Sequence, residues 1–187
     1  MRVFAAIVLP TKIRDHLAQA LAMVAPRERA PRDPWVPAVN WHITLAFFGD
    51  QPEDMTAELL AHLGEVSRRT PPFPLALVGA GVFRQDICWI GVADPSQTLP
   101  ELAEQTRGSY AQASQHAHNR FHVTVSRGGR ASGRQKASLL AGAMSALSVY
   151  RGPEWTVDQV VLMRSDLGEG VGGHPLYSQL GQVALGR

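Results

Sequence analysis

One short pattern, an aromatic residue followed by His-x-Thr, occurs once in each half of the 187-residue chain. The first copy is Trp41-His42-Ile43-Thr44 and the second is Phe121-His122-Val123-Thr124. Histidine titrates near neutral pH, so one ring can accept a proton while a second ring donates one. Threonine hydroxyls can donate hydrogen bonds to the oxygens of a phosphoryl group. Together these side chains suit the opening of a cyclic phosphodiester by water without a metal.

Both copies lie in segments that the sequence predicts to be strands, 40–48 and 121–126. Side chains alternate between the faces of a strand, so His42 shares a face with Thr44, and His122 shares a face with Thr124. The apolar residues between them take the other face and anchor each strand in the core. Two such strands facing each other would line a cleft. The alternative is two half-buried histidines that satisfy hydrogen bonds in unrelated strands.

The rest of the chain predicts strands and helices in alternation, separated by proline- and glycine-rich loops of uneven length. The predicted strands are 2–9, 75–78, 88–92, 157–163 and 177–185, and the predicted helices are 11–24, 54–67, 99–117 and 136–147. This pattern favours an α+β fold with antiparallel sheets over a regular parallel sheet. No glycine-rich nucleotide-binding loop is present in the sequence.

Composition limits the classes of protein that the chain can represent. Hydrophobic residues make up 45% of it, and no apolar run approaches the length of a membrane helix, so we expect a globular cytoplasmic protein. The single cysteine, Cys88, excludes an intrachain disulfide and a multi-cysteine zinc site. His116 and His118 form a His-x-His in a polar segment without a carboxylate partner, so we predict no metal and no cofactor.

Around the two copies the sequence resembles the 2H phosphoesterase superfamily, specifically the LigT-like RNA 2′,3′-cyclic phosphodiesterases, also described as 2′-5′ RNA ligases. The segments 40–50 and 120–127 resemble the two motif blocks of that family. Residues 2–7 resemble its opening strand, 82–92 its central hairpin and 155–168 its closing region. Two His-x-Thr motifs in the right order are a far more specific signal than one.

The resemblance implies a single bilobal domain over residues 1–187, with two antiparallel sheets and outer helices related by a pseudo-twofold axis. The active site would lie in the cleft between the lobes. His42 would protonate the leaving oxygen and His122 would activate water, leaving a 2′-phosphate. The implied partner is RNA with a 2′,3′-cyclic phosphate end, bound by a monomer without a cofactor.

Two further residues are candidates for substrate binding. Arg127 matches a frequent family arginine and suits phosphate, but strict alternation points it away from His122, so it needs a bulge near Gly128 to reach the cleft. Arg130 is a weaker substitute. Phe48 has the same parity as His42 and could stack on a nucleobase or pack in the core.

The sequence is compatible with three alternative functions. The same site could join RNA ends through a 2′-5′ linkage. A related cyclic substrate, such as a cyclic nucleotide or an ADP-ribose cyclic phosphate, could replace RNA. The chain could also be a noncatalytic module that binds RNA or nucleotides, although binding alone does not need two groups that transfer protons.

Overall fold

The computed structural model of the chain describes residues 1–24, 35–83, 87–110, 120–127 and 134–186. Its strands are β1 (Arg2–Val8), β2 (His42–Asp50), β3 (Phe73–Phe83), β4 (Ile87–Ala93), β5 (His122–Arg127), β6 (Arg151–Val157), β7 (Gln159–Asp166) and β8 (Leu176–Ala184). Its α-helices are α1 (Thr11–Val24), α2 (Met55–Arg69), α3 (Thr98–Arg107) and α4 (Arg134–Ala146). The predicted α+β class is confirmed.

The strands form one antiparallel sheet, in the order β6-β3-β4-β5-β2-β1-β7-β8. The prediction of two separate sheets is therefore corrected to one. The two motif strands, β2 and β5, come close enough at the centre to pair, through Ile43 and Val123 alone. We call β2, β1, β7 and β8 the first half-sheet, and β5, β4, β3 and β6 the second half-sheet.

The helices pack on the two half-sheets in a crossed arrangement. Helix α1 follows β1 of the first half-sheet, yet it packs against β6 and α4 of the second. Helix α3 follows β4 of the second half-sheet and packs against β2 and α2 of the first. Helices α2 and α4 pack on β8 and β3, respectively. Each half-sheet is therefore covered partly by a helix that follows a strand of the other.

Helix α1 shows how the sequence pattern produces this packing. It begins directly after Pro10, whose carbonyl accepts hydrogen bonds from the amides of Ile13 and Arg14 in the first turn. Ile13, Leu17 and Leu21 recur every four residues and are buried, which gives one apolar face. The helix has the bounds that the sequence predicts. Among the described residues, no helix combines the length and the apolar character that crossing a bilayer requires.

Three elements differ from the sequence-based expectation. Strand β3 is longer than predicted, because a bulge between Val78 and Ala80 lets Gly79, at φ +61°, continue it. Strand β6 is absent from the predicted strands, and it contains Pro153, which an edge strand tolerates because one side of it needs no partner. Helix α3 ends at Arg107, ahead of Gly108 at φ +45°, whereas the predicted helix extends into residues outside the described part.

The central strand pair predicts a large cost for truncating Ile43. This side chain is fully buried, and Ile43→Ala should lower the free energy of unfolding by about 3 kcal/mol, since it leaves a cavity at the junction of the half-sheets. Urea denaturation followed by circular dichroism measures the change. Val149→Ala is the control, because Val149 is 87% exposed and should shift stability by less than about 0.5 kcal/mol. Similar losses in both variants would contradict the prediction.

Candidate active site

A cavity of about 320 Å³ opens where β2 and β5 meet. His42 and Thr44 of β2 line it together with His122 and Thr124 of β5, so the two His-x-Thr motifs share one site. All four side chains are half-buried. The cavity is also lined by further residues of β2 and β5 and by residues from β1, the segment before β2, and the region of β7 and β8: Arg2, Val36, Asn40, Phe47, Arg127, Ser165, Leu167, Pro175 and Tyr177. We call this cavity the cleft.

Both motif strands carry a β-bulge at the same place, the third residue after the histidine. The residues on either side of Leu45 pair with consecutive residues of β1, and those on either side of Val125 pair with consecutive residues of β4. The extra residue reverses the alternation of side chains beyond it. Leu45 and Val125 therefore face the core, and the cleft receives Phe47 from β2 and Arg127 from β5.

This bulge corrects the prediction for Phe48. Strict alternation placed Phe48 beside His42, but Phe48 is fully buried in the core and cannot stack on a ligand. Phe47 lines the cleft in its place. For Arg127, the bulge that brings the side chain into the cleft lies at Val125, earlier than the position near Gly128 that the sequence suggested.

Each histidine ring is held by a hydrogen bond to the backbone two residues earlier. Nδ1 of His42 lies 2.7 Å from the carbonyl oxygen of Asn40, and Nδ1 of His122 lies 2.8 Å from that of Arg120. A carbonyl oxygen only accepts, so Nδ1 of each ring carries the hydrogen and donates it. In the neutral rings Nε2 is then the basic nitrogen, and it is the atom that can exchange a proton with a ligand.

The cleft lowers the pKa of both histidines. Burial lowers the pKa of His42 to about 4, and the charges of Arg127 and His122 act in the same direction, while the bond to Asn40 opposes them. Burial also lowers the pKa of His122, again with help from Arg127 and against the bond to Arg120. An imidazolium loses hydration when it is buried, and a nearby cation repels it.

Aromatic rings surround each imidazole. His42 lies 4.9 Å from the ring of Phe4 and 5.2 Å from that of Tyr177, measured between centroids. Phe83 and Trp89 lie 5.1 Å and 6.4 Å from His122. These rings supply the apolar surroundings that lower the pKa of the histidines and fix the planes of the imidazoles.

Sequence reasoning missed Asn40, Tyr177 and Arg2 as parts of the site. The buried Asn40 amide donates to the carbonyl oxygen of Pro175 at 2.8 Å. Asn40, which also accepts the hydrogen bond from His42, is thereby connected to the segment that leads into β8. That segment carries Tyr177 into the cleft. Asn40 sits in the first motif block and could have been suspected. Tyr177 and Arg2 lie far away in the sequence and belong to no repeated pattern.

Charge and hydrogen-bonding capacity in the cleft favour an anion. Arg2 and Arg127 both line it, and neither forms an ion pair with any of the described residues. The hydroxyls of Thr44 and Thr124 form no hydrogen bond with any described residue. Unpaired guanidinium groups and free hydroxyl donors are the groups that bind phosphate oxygens.

The described residues contain no group of three side chains able to hold a metal ion. His116, His118 and Arg130, which the sequence raised as candidates, lie outside the described residues. His174 is half-buried beside Pro175 but does not line the cleft.

Comparison with known proteins identifies the family. The model of the 2′-5′ RNA ligase superfamily matches residues 9–169. RNA 2′,3′-cyclic phosphodiesterase of Escherichia coli K12 is 36% identical over 126 residues, which cover 66% of this chain and 69% of that protein. The chain belongs to the 2′-5′ RNA ligase superfamily. The predicted resemblance is thereby confirmed, as is the prediction that the chain is an enzyme of the phosphodiesterase class.

Solved structures agree with this assignment over the full length. The crystal structure of TT0787 of Thermus thermophilus has a TM-score of 0.75 at 27% identity and covers 99% of this chain and 98% of that one. Escherichia coli LigT complexed with 3′-AMP has a TM-score of 0.72 at 26% identity and covers 100% and 98%.

Arg127 lowers the pKa of both histidines, so replacing it should change both pKa values. Arg127→Gln should raise the pKa of both His42 and His122, because it removes a positive charge that disfavours both imidazolium forms. Titration of the ring signals by NMR measures both values, and ¹⁵N shifts identify the nitrogen that carries the hydrogen. Arg151→Gln, at an exposed position of β6, is the control and should change neither pKa. A rise in only one histidine would contradict the shared position of Arg127.

Proposed function

We propose that this chain hydrolyses RNA 2′,3′-cyclic phosphate ends to 2′-phosphomonoesters, by paired histidine acid–base catalysis without a metal. The observation that carries the proposal is the symmetry of the cleft. Two His-x-Thr motifs meet there, and both imidazoles use Nδ1 for the backbone, so both Nε2 atoms remain for proton transfer. The relatives named RNA 2′,3′-cyclic phosphodiesterase support the same substrate class, and the LigT structure with 3′-AMP supports a ribonucleotide ligand.

The reaction needs two proton transfers on opposite sides of the phosphorus atom. A water molecule attacks phosphorus while the acceptor, His122, takes its proton at Nε2. The bond between phosphorus and the 3′-oxygen breaks, and the donor, His42, gives its Nε2 proton to that oxygen. The products are a 3′-hydroxyl and a 2′-phosphate, and the two histidines have exchanged protonation states. Each transfer of this kind contributes about 10²–10⁴-fold to the rate.

The other cleft residues act on the phosphoryl oxygens. Thr44 and Thr124 each lie two residues after a histidine on the same face of a strand, so their hydroxyls are placed to donate to the nonbridging oxygens. Arg127 comes from the same strand as His122 and adds a positive charge. Because charge shifts onto these oxygens during attack, fixed donors stabilise the transition state more than the bound substrate.

The burial of His42 affects its proposed role as proton donor. With a pKa of about 4, His42 is neutral at pH 7 in the free protein, so it must take up a proton to serve as the donor. A bound cyclic phosphate supplies a negative charge beside both rings and raises the pKa of each. We assign the donor role to His42 on the family resemblance and propose that it becomes protonated when the substrate binds.

We further propose that a pseudo-twofold axis relates the half-sheets and that the enzyme works as a monomer. The strand orders β2-β1-β7-β8 and β5-β4-β3-β6 run outward from the same central pair, and the two bulges occupy matching positions. The proposed reaction uses two histidines, two threonines and Arg127 of a single chain and therefore needs no second copy.

One assay tests the proposed reaction directly. A 5′-labelled oligoribonucleotide with a 2′,3′-cyclic phosphate end is incubated with the protein in EDTA, and the product end is identified. We expect complete conversion to the 2′-phosphate. A 3′-phosphate product would mean that the leaving oxygen is assigned wrongly. Loss of activity in EDTA with recovery on adding zinc or manganese would overturn the metal-free mechanism, and joining to an added 5′-hydroxyl RNA would favour ligation.

A second experiment tests the histidine pair and separates its roles. His42→Ala and His122→Ala should each lower kcat by about 10²–10⁴-fold, while affinity for the RNA end changes far less. His16→Ala, at an exposed position on α1, is the matched control and should keep normal kcat.

The roles separate with a substrate whose bridging 3′-oxygen is replaced by sulfur. A thiolate leaves without protonation, because the pKa of a thiol lies near 8.5, about that of cysteine. His42→Ala should therefore recover most of its activity on this substrate, whereas His122→Ala should not. Recovery of His122→Ala instead would reverse the assignment of donor and acceptor, and full activity of both variants on the natural substrate would refute the catalytic role.

A further inference from the structure

A second cavity, of about 390 Å³, lies in the second half-sheet next to the cleft. Gly79 and Gly91 contribute only backbone to its lining, so that part of the surface carries no side chains. Trp89, Arg120 and Ser148 also line it. None of these residues has a part in the reaction proposed above except through the backbone carbonyl of Arg120.

Trp89 connects this second cavity to the cleft. Its ring lines the cavity and lies 6.4 Å from the ring of His122, so one side chain contributes to both places. Trp89 pairs with Gly81 of β3, and a side chain at Gly81 would collide with the indole ring. Glycine at that position lets the ring lie flat against the strand. The indole nitrogen is buried and has no hydrogen-bond partner among the described residues.

Arg120 gives the second cavity a positive charge next to an aromatic face. Its guanidinium lies 5.0 Å from the centre of the Trp89 ring, in a cation–π arrangement. The residue is exposed and takes part in none of the ion pairs found among the described residues. The guanidinium of Arg120 and the ring of His122 both lie beside Trp89, so a ligand bound at Arg120 lies within reach of the cleft.

We propose that the second cavity binds the nucleotide on the 5′ side of the terminal one, in the RNA whose cyclic phosphate end occupies the cleft. This inference rests on the proposed function. Single-stranded RNA is commonly bound by stacking bases on aromatic rings and on the plane of arginine. The exposed guanidinium of Arg120, which lies over the buried ring of Trp89, offers such a surface, and it can also bind the phosphate that links the two nucleotides. The cavity, at about 390 Å³, has room for the base.

The test compares a ligand that reaches the second cavity with one that does not. Titration calorimetry measures the affinity of adenylyl-adenosine carrying a terminal 2′-phosphate and of adenosine 2′-phosphate, so the result does not depend on turnover. We expect the dinucleotide to bind about tenfold more tightly, the gain typical of one additional stacked base. Equal affinities would overturn the second cavity as a nucleotide site.

Two variants at neighbouring positions test whether the second cavity is responsible for the gain in affinity. Ser148 is exposed at the edge of the second cavity, so Ser148→Phe should fill it and bring the dinucleotide down to the affinity of the mononucleotide. Val149→Phe is the matched control, because Val149 is exposed but does not line the cavity, and the gain should survive there. A gain that persists in Ser148→Phe would place the extra nucleotide elsewhere and refute the proposal.

Arg120→Gln distinguishes phosphate binding from stacking alone. It keeps the backbone bond to His122 and removes the positive charge, so the dinucleotide should bind more weakly and with less dependence on salt. An unchanged salt dependence would refute the contact between Arg120 and the linking phosphate. Failure of the proposed function is a separate result, since it would appear as the absence of hydrolysis in the parent protein while these affinities remain measurable.

Discussion

The backbone hydrogen bond at Nδ1 of each histidine is the interaction on which the site depends. A polar ring that is buried without a partner costs free energy, and both rings lie among aromatic, largely apolar side chains. The carbonyls of Asn40 and Arg120 satisfy one nitrogen of each ring and orient it. Burial can then lower the pKa of the imidazoles and leave Nε2 as the basic atom. Without these two bonds, no other contact among the described residues would determine which ring nitrogen faces the cleft.

The β-bulges determine which other residues join the histidines. Regular alternation would have turned Phe48 of β2 and Ser126 of β5 toward the cleft, and Phe47 and Arg127 away from it. One extra residue at Leu45 and one at Val125 reverse this order, so Phe47 and Arg127 enter from opposite sides. The two strands thus contribute different groups at matching positions: an apolar ring from one, a cation from the other. The cleft is symmetric where protons move and asymmetric where the ligand must be oriented.

Much of this arrangement followed from the sequence, and the failures have identifiable physical causes. The strands that carry the two motifs and the helix over 11–24 were predictable, because apolar periodicity and a repeated motif are local signals. The meeting of the histidines and threonines in one cleft was expected from the family resemblance, and the structure brings them together. The error at Phe48 arose because a bulge leaves no mark in the pattern of apolar residues. Tyr177 and Arg2 were missed because only the folded sheet brings β8 and the start of β1 beside β2. The single sheet depends on one residue pair, which no sequence pattern reveals.

The crossed helices have a consequence for how the molecule can be divided. Because α1 belongs by sequence to one half-sheet and by packing to the other, a fragment cut between β3 and β4 would lack part of the cover of its own apolar face. Two such fragments would each expose the surface that the missing helix buries, and each would carry the helix that the other needs. We therefore expect the separated pieces to be insoluble alone and to reassemble when mixed, as halves of one cooperative unit.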